Sequence, residues 1–147
     1  TFQDGEALPA RLLAISENYD IAFLQVDREG LPIAPLGNGD AVQLGDWMVA
    51  IGSPAEFDNL VSLGVASTII RPKPGDKAAV FFDRSPTFIG TDALFNKGIS
   101  GGPLLNAAGE VVGMCTYMRQ DLNGLGFAIA VNRVADVACE LLNRNLD

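Results

Sequence analysis

The residues with the clearest chemical potential are Gly98-Ile99-Ser100-Gly101-Gly102-Pro103. A serine hydroxyl is a weak nucleophile unless a neighbouring base takes its proton. Glycines on both sides of it let the backbone turn sharply and bring amides close to a ligand. Two N–H groups converging on one point, with a hydroxyl beside it, stabilise the oxyanion that forms during acyl transfer. The blander reading of the same run is a glycine-rich hairpin loop around an idle serine.

Gly98-x-Ser100-x-Gly102 also fits the nucleophile elbow of α/β-hydrolases. That elbow needs a helix directly after the serine, then an Asp and a His later in the chain. Here Pro103-Leu-Leu-Asn106 leads into a hairpin turn and another strand, and the sequence has no histidine. The hydrolase reading fails on both counts. With no His, and with Cys115 and Cys139 far apart, metal catalysis has no ligand set. No phosphate-binding glycine fingerprint sits in a βαβ setting, so neither a metal nor a cofactor is expected. A Ser–Lys dyad through Lys97 is a further alternative, set against a lysine that simply points to solvent.

The elements that must position this run read as short strands. Apolar stretches rich in Val, Ile and Phe cover Ala10–Ile15, Ile21–Val26, Trp47–Ile51, Val61–Ile70, Ala78–Phe82, Thr87–Thr91, Val111–Tyr117 and Leu125–Val131. Turn signals separate them at Leu36–Asp40, Ser53-Pro54, Pro72–Asp76, Asn106–Gly109 and Asn123-Gly124. From Asn132 to Asn145 the apolar residues Val134, Val137, Ala138, Leu141 and Leu142 recur at a helical period, with Asn132 as candidate N-cap. The pattern predicts an all-β antiparallel barrel or sandwich closed by one C-terminal α-helix.

Composition agrees. In 147 residues, 48% are hydrophobic and 19% charged, which excludes a disordered tail. Eighteen acids against ten bases give a net charge of −8, so nucleic acid and anionic membranes are poor partners. No apolar run approaches a bilayer-spanning length. The two cysteines are expected to be free thiols, buried as small hydrophobes.

Longer runs then carry a resemblance. Thr91-Asp-Ala-Leu-Phe-Asn-Lys-Gly-Ile-Ser-Gly-Gly-Pro103, continued to Gly113, keeps the spacing of the trypsin-like serine proteases, most closely the HtrA/Deg branch. Asp20–Val26, Leu44–Gly52 and Gly124–Ile129 agree in the same order, so residues 8 to 134 resemble that family. The resemblance implies a trypsin-like antiparallel β-barrel. Residues 1–35 would be the remnant of a first barrel, 36–131 a nearly complete second barrel, and 132–147 the helix.

It also implies roles. Ser100 would be the nucleophile of a serine endopeptidase and the amides of Gly98 and Ser100 its oxyanion hole. Asp20 would be the carboxylate that orients the histidine, its bland reading being a turn residue before a strand. A polypeptide substrate would pair along Thr116-Tyr117-Met118, with an apolar P1 side chain against Leu94, Phe95 and the Leu125–Ala128 stretch. Leu94 and Phe95 could equally be ordinary core. An extracytoplasmic, periplasmic-type site, a homo-oligomer and a PDZ module beyond Asp147 are the family's further implications.

Departures matter as much. The general base should be a histidine upstream of Asp20, and none exists. Because the sequence opens at Thr1 and enters the first barrel abruptly, the expectation is a fragment inactive alone, its His-bearing strands lying outside it. The competing expectation is a non-catalytic, peptide-binding pseudoprotease; a cysteine-type relative is disfavoured by Ser100. Ile99 stands where the family has Asn or Asp, Lys97 where it commonly has Pro, and Ser53 where it often has Asn. Ile99 removes a polar side chain that helps hold the nucleophile loop, and Lys97 would loosen the same loop.

Overall fold

A computed structural model describes residue 2 and residues 5–53, 60–71, 86–96, 98–119 and 125–143. The strands are β1 (Ala10–Ser16), β2 (Ile21–Val26), β3 (Trp47–Gly52), β4 (Leu60–Ile70), β5 (Phe88–Thr91), β6 (Pro103–Leu105), β7 (Val111–Arg119) and β8 (Leu125–Ala130). Helix α1 follows over Val131–Asn143.

The chain divides into two compact units, Ala34–Val134 and Thr1–Ile33 with Ala135–Asp147. In the larger, six strands close in the order β3-β4-β5-β8-β7-β6, every pair antiparallel. Closure depends on a strand missing from the sequence reading. β6 is three residues long, and it pairs with β3 at Val49↔Leu105 and Ala50↔Leu104. A proline opens it, as suits the first position of a strand. A closed barrel leaves no edge to protect, so the expectation of a nearly complete barrel becomes a complete one.

Alternation along the strands fills the interior. Met48 and Ala50 of β3 are fully buried and join Ile89, Ile99, Leu104, Cys115 and Ala128 in one core cluster. A second cluster, Phe88, Phe127 and Ile129, takes Val134 of α1 against it. On the other side of β3 and β4, Trp47↔Val65, Val49↔Leu63 and Ile51↔Val61 stand directly opposite, an all-apolar ladder with Trp47, Val61 and Leu63 exposed.

The smaller unit holds β1 and β2, an antiparallel pair. Arg28 ties its ends, stacking on Phe2 and pairing with Glu6 at 2.9 Å. Leu12, Ile15 and Leu24 of this pair are exposed.

Two expectations change. Asn132 does not cap α1; it lies inside the helix and its Oδ1 accepts the Gly39 amide at 2.8 Å, fastening the turn after Asn38. Gly39 itself has no room for a side chain, since a Cβ would lie 2.2 Å from the Val112 carbonyl. Both thiols are free, but Cys139 is exposed on α1, its outward side, while Cys115 alone is buried. The expected strand Ala78–Phe82 and the turns at Pro72–Asp76 and Asn123-Gly124 lie outside the described residues.

Candidate active site

The nucleophile run forms the connection between β5 and β6, and backbone hydrogen bonds fix nearly every peptide in it. The Ile99 amide donates to the Asn96 carbonyl at 3.2 Å, closing a four-residue turn with Gly98 at φ 101°. A positive φ at the third position is what a type II turn requires, and glycine adopts it without steric cost. The Gly98 carbonyl accepts from the Ser53 amide at 3.3 Å, and the Ile99 carbonyl from the Gly102 amide at 2.8 Å. Beyond the serine, Gly101 donates to the Cys115 carbonyl at 2.7 Å and the Cys115 amide donates to Gly102 at 2.9 Å. These two bonds carry the β6–β7 ladder past Pro103, directly behind Ser100.

Counting donors leaves a remainder. The amides of Ile99, Gly101 and Gly102 all have protein acceptors. Among the described residues, those of Gly98 and Ser100 have none, and both residues are exposed. Because N–H and C=O point oppositely across a trans peptide, clamping the Ile99 carbonyl inward turns the Ser100 amide outward. The Ser100 hydroxyl donates to the Thr116 carbonyl on β7 at 2.7 Å.

Past Cys115, β7 has a register shift, and only β8 pairs with it among the described strands. The Thr116–Met118 edge on the Ser100 side therefore carries no strand. Tyr117 stacks on Phe127 with ring centroids 5.0 Å apart and meets Phe88 edge-on at 6.1 Å, so its ring belongs to the second apolar cluster. Nothing is described of the Met118 side chain.

The residues expected to wall a P1 pocket differ in exposure and packing. Leu94 is half exposed, its amide held by the Ser62 hydroxyl at 2.7 Å. Phe95 is buried in the main core, its ring over Gly126, where a Cβ would fall 2.2 Å from the ring. Leu125 packs instead with Phe88 and Phe127. The Leu125–Ala128 stretch thus borders both clusters: Leu125 lies in the second, Gly126 lies under the Phe95 ring, and Ala128 shares the main core with Phe95.

In the other unit, Asp20 ends the 3₁₀ turn Glu17–Tyr19 at φ 54°, ψ 44° and leads into β2. Of the described non-glycine residues it alone has a positive φ. Asp tolerates this left-handed conformation better than most side chains. It is exposed, and among the described residues its carboxylate has no hydrogen bond or ion pair.

Two supports were missing from the sequence reading. Asp92 Oδ1 accepts from the Val65 amide at 2.8 Å, and with the Ser62–Leu94 bond it fastens the entrance of the loop along β4. Gly52 faces Ile99 so closely that a Cβ would fall 2.7 Å from the Ile99 Cα. Asp92 is visible within the Thr91-Asp-Ala run, whereas Ser62 carries no signal of its own. Cys115, behind the serine, is not a second nucleophile: desolvation by burial pushes its thiol up to about 12, against a smaller lowering by a backbone hydrogen bond.

Comparison with known proteins agrees with this architecture. The profile of the trypsin-like peptidase domain matches residues 1–114. HhoB of Synechocystis sp., assigned as a serine protease, is 40% identical over 144 residues, covering 98% of this chain and 34% of its own length. A DegP-like protein of Pseudomonas savastanoi pv. phaseolicola, assigned as a periplasmic serine endoprotease, is 40% identical over 141 residues, or 94% and 28%. The HtrA-type protease AlgW, solved with a decapeptide, superposes with TM-score 0.83 at 32% identity, covering 96% of this chain and 42% of that one. The chain thus spans about a third of the length of the curated relatives it matches. A closed antiparallel barrel, a glycine-bracketed serine on its β5–β6 connection and these matches have one common explanation: the chain belongs to the trypsin-like peptidase domain family, in its HtrA/Deg branch.

Proposed function

We propose that these residues form the nucleophile-bearing part of a serine endopeptidase. Ser100 attacks the scissile carbonyl and becomes the acyl-enzyme. The amides of Gly98 and Ser100 hold the oxyanion, and Asp20 orients the histidine base. The substrate polypeptide adds as a strand along Thr116–Met118, where main-chain hydrogen bonds do not depend on sequence. Half-exposed Leu94, backed by buried Phe95 against the Leu125–Ala128 stretch, offers an apolar wall to its P1 side chain. The observation that carries this reading is the donor count: among the described residues the amides of exposed Gly98 and Ser100 have no protein acceptor, whereas those of Ile99, Gly101 and Gly102 do.

A histidine base must reach Ser100 from outside these 147 residues, since they contain none. Alone they are inactive in this reading, because losing one triad member removes several orders of magnitude of rate. A fluorophosphonate probe should label Ser100 in the protein that supplies the histidine, and Ser100→Ala should abolish labelling. An unlabelled Ser100 in that protein would overturn the assignment.

A second reading has observations of its own. The absence of histidine, and a hydroxyl donating to the Thr116 carbonyl, suit a non-catalytic domain that binds extended peptides. Further proposals follow from the relatives. An extracytoplasmic site rests on those assigned as periplasmic, and a PDZ module beyond Asp147 on family resemblance alone. Residues 1–35 are read as part of a first barrel, 36–131 as the second and 132–147 as the closing helix. Self-association of identical copies is supported by the uncharged face carrying Trp47, Val61 and Leu63: a surface of this kind marks an interaction site, and it keeps like-charged groups of an acidic chain out of the contact.

A further inference from the structure

We propose that Ile99 and Gly52 form an apolar plug and socket that aim the oxyanion-binding amides. They would be positioning residues for Ser100, and the amide pair would stand assembled before any ligand arrives. The inference rests on the reading of Gly98 and Ser100 as that pair. An apolar residue just before a nucleophile removes a polar tether, and the sequence alone predicts a loosened loop. The structure places the Ile99 side chain in the main core, fully buried with Met48, Ala50, Leu104 and Cys115.

Its fit depends on the end of β3. A Cβ on Gly52 would lie 2.7 Å from Ile99 Cα, 2.9 Å from its Cγ1 and 3.1 Å from the Gly98 carbonyl. The next residue, Ser53, donates its amide to that same carbonyl. Both peptides around Ile99 are therefore clamped. The first is held at its carbonyl by Ser53 and at its N–H by Asn96, the second at its carbonyl by Gly102. With the side chain seated in the core, the second peptide cannot rotate without lifting Ile99 out, and rotation is what would turn the Ser100 amide away. Burial of an aliphatic side chain is non-directional and needs no partner charge, so this anchor requires neither an ion pair nor a particular pH.

The test uses the protein that supplies the histidine base, with substitutions made in this chain, and two probes. Acetyl-Ala-Ala-Val boronic acid reports the amide pair: the Ser100 oxygen gives a lone pair to boron, its proton passes to solvent, and a boron-bound oxygen takes the oxyanion position. Acetyl-Ala-Ala-Val carboxamide reports strand pairing alone. The boronate should shift the Gly98 and Ser100 amide resonances in the unsubstituted chain. Gly52→Ala should weaken its binding by about tenfold to a hundredfold, leaving carboxamide binding within threefold. Ile99→Thr should behave likewise and Ile99→Val should not; Thr and Val match in shape and differ by a buried hydroxyl, so this pair decides the matter if Gly52→Ala does not fold. Failure of the boronate to shift those amides in the unsubstituted chain would refute the oxyanion reading itself. Shifts that persist undiminished in Ile99→Thr, or equal losses for both probes, would refute the plug and socket alone.

Discussion

Cys115 stands directly behind the nucleophile, its backbone bonded to Gly101 and Gly102, so its side chain tests how tightly that region is packed. Burial raises its thiol from 9.0 to about 12. At pH 8 an ordinary thiol of that starting value is about one-tenth thiolate, whereas Cys115 would be thiolate in about one molecule in ten thousand. Iodoacetamide should then modify the exposed Cys139 far faster than the buried Cys115, until the chain unfolds and the two equalise. The same shift makes a prediction about stability. The folded state holds the Cys115 proton more tightly than the unfolded state, so the contribution is complete below pH 9 and is lost as pH rises towards 12. Between pH 8.5 and 10.5 the unfolding free energy should fall by about 2 kcal/mol more in the natural chain than in Cys115→Ala. Urea unfolding of both proteins at the two pH values, with alkylation followed by mass spectrometry, makes the check. Parallel pH dependences, or equal alkylation of the two thiols in the folded chain, would refute a closely packed wall behind Ser100.

Phe95→Ala should cost about 3–5 kcal/mol in urea unfolding, because the ring is buried against Gly126; a loss below 1 kcal/mol would mean that Phe95 lines open space after all. Trp47→Glu with Leu63→Glu should convert a self-associated chain to monomer in size-exclusion chromatography with light scattering. A natural chain already monomeric, or a mass unchanged by the charges, would refute self-association through the β3–β4 face.

Most strands were legible because an apolar run bounded by turn residues is a local signal. Trp47–Ile51 is one such run; which of its residues face the interior, Met48 and Ala50, shows only in the burial. β6 was not, since three residues opened by a proline carry too little pattern and the strand is defined by pairing with β3 and β7. The helix was legible by period, but its start was misread at Asn132, whose side chain serves a turn 93 residues away. Nucleophile and glycines were visible as a run. That Phe95 packs in the main core and Leu125 in the second cluster was not, because apolar residue types are the same whether a pocket or a core receives them. Ile99 was read as a defect for a similar reason: sequence shows the lost polar group, and only packing shows what replaced it.

The site's chemistry follows from where the β6–β7 ladder stops. As far as Cys115 each main-chain group that could close on the barrel does so, and the peptides of Gly101 and Gly102 are simply its last rungs. At Thr116 the register shifts, the partner strand ends, and the carbonyl there accepts the Ser100 hydroxyl. Just upstream, the Ile99 amide is used inside the turn from Asn96, and among the described residues the exposed Gly98 and Ser100 amides keep no protein acceptor. Unused donors beside Ser100 and a β7 edge without a described partner strand thus meet where the β6–β7 ladder ends. Exposed amides are paired by water at no cost, so their lack of a protein acceptor does not by itself demand a ligand; under the proposed reading, the oxyanion and an extended peptide would replace that water.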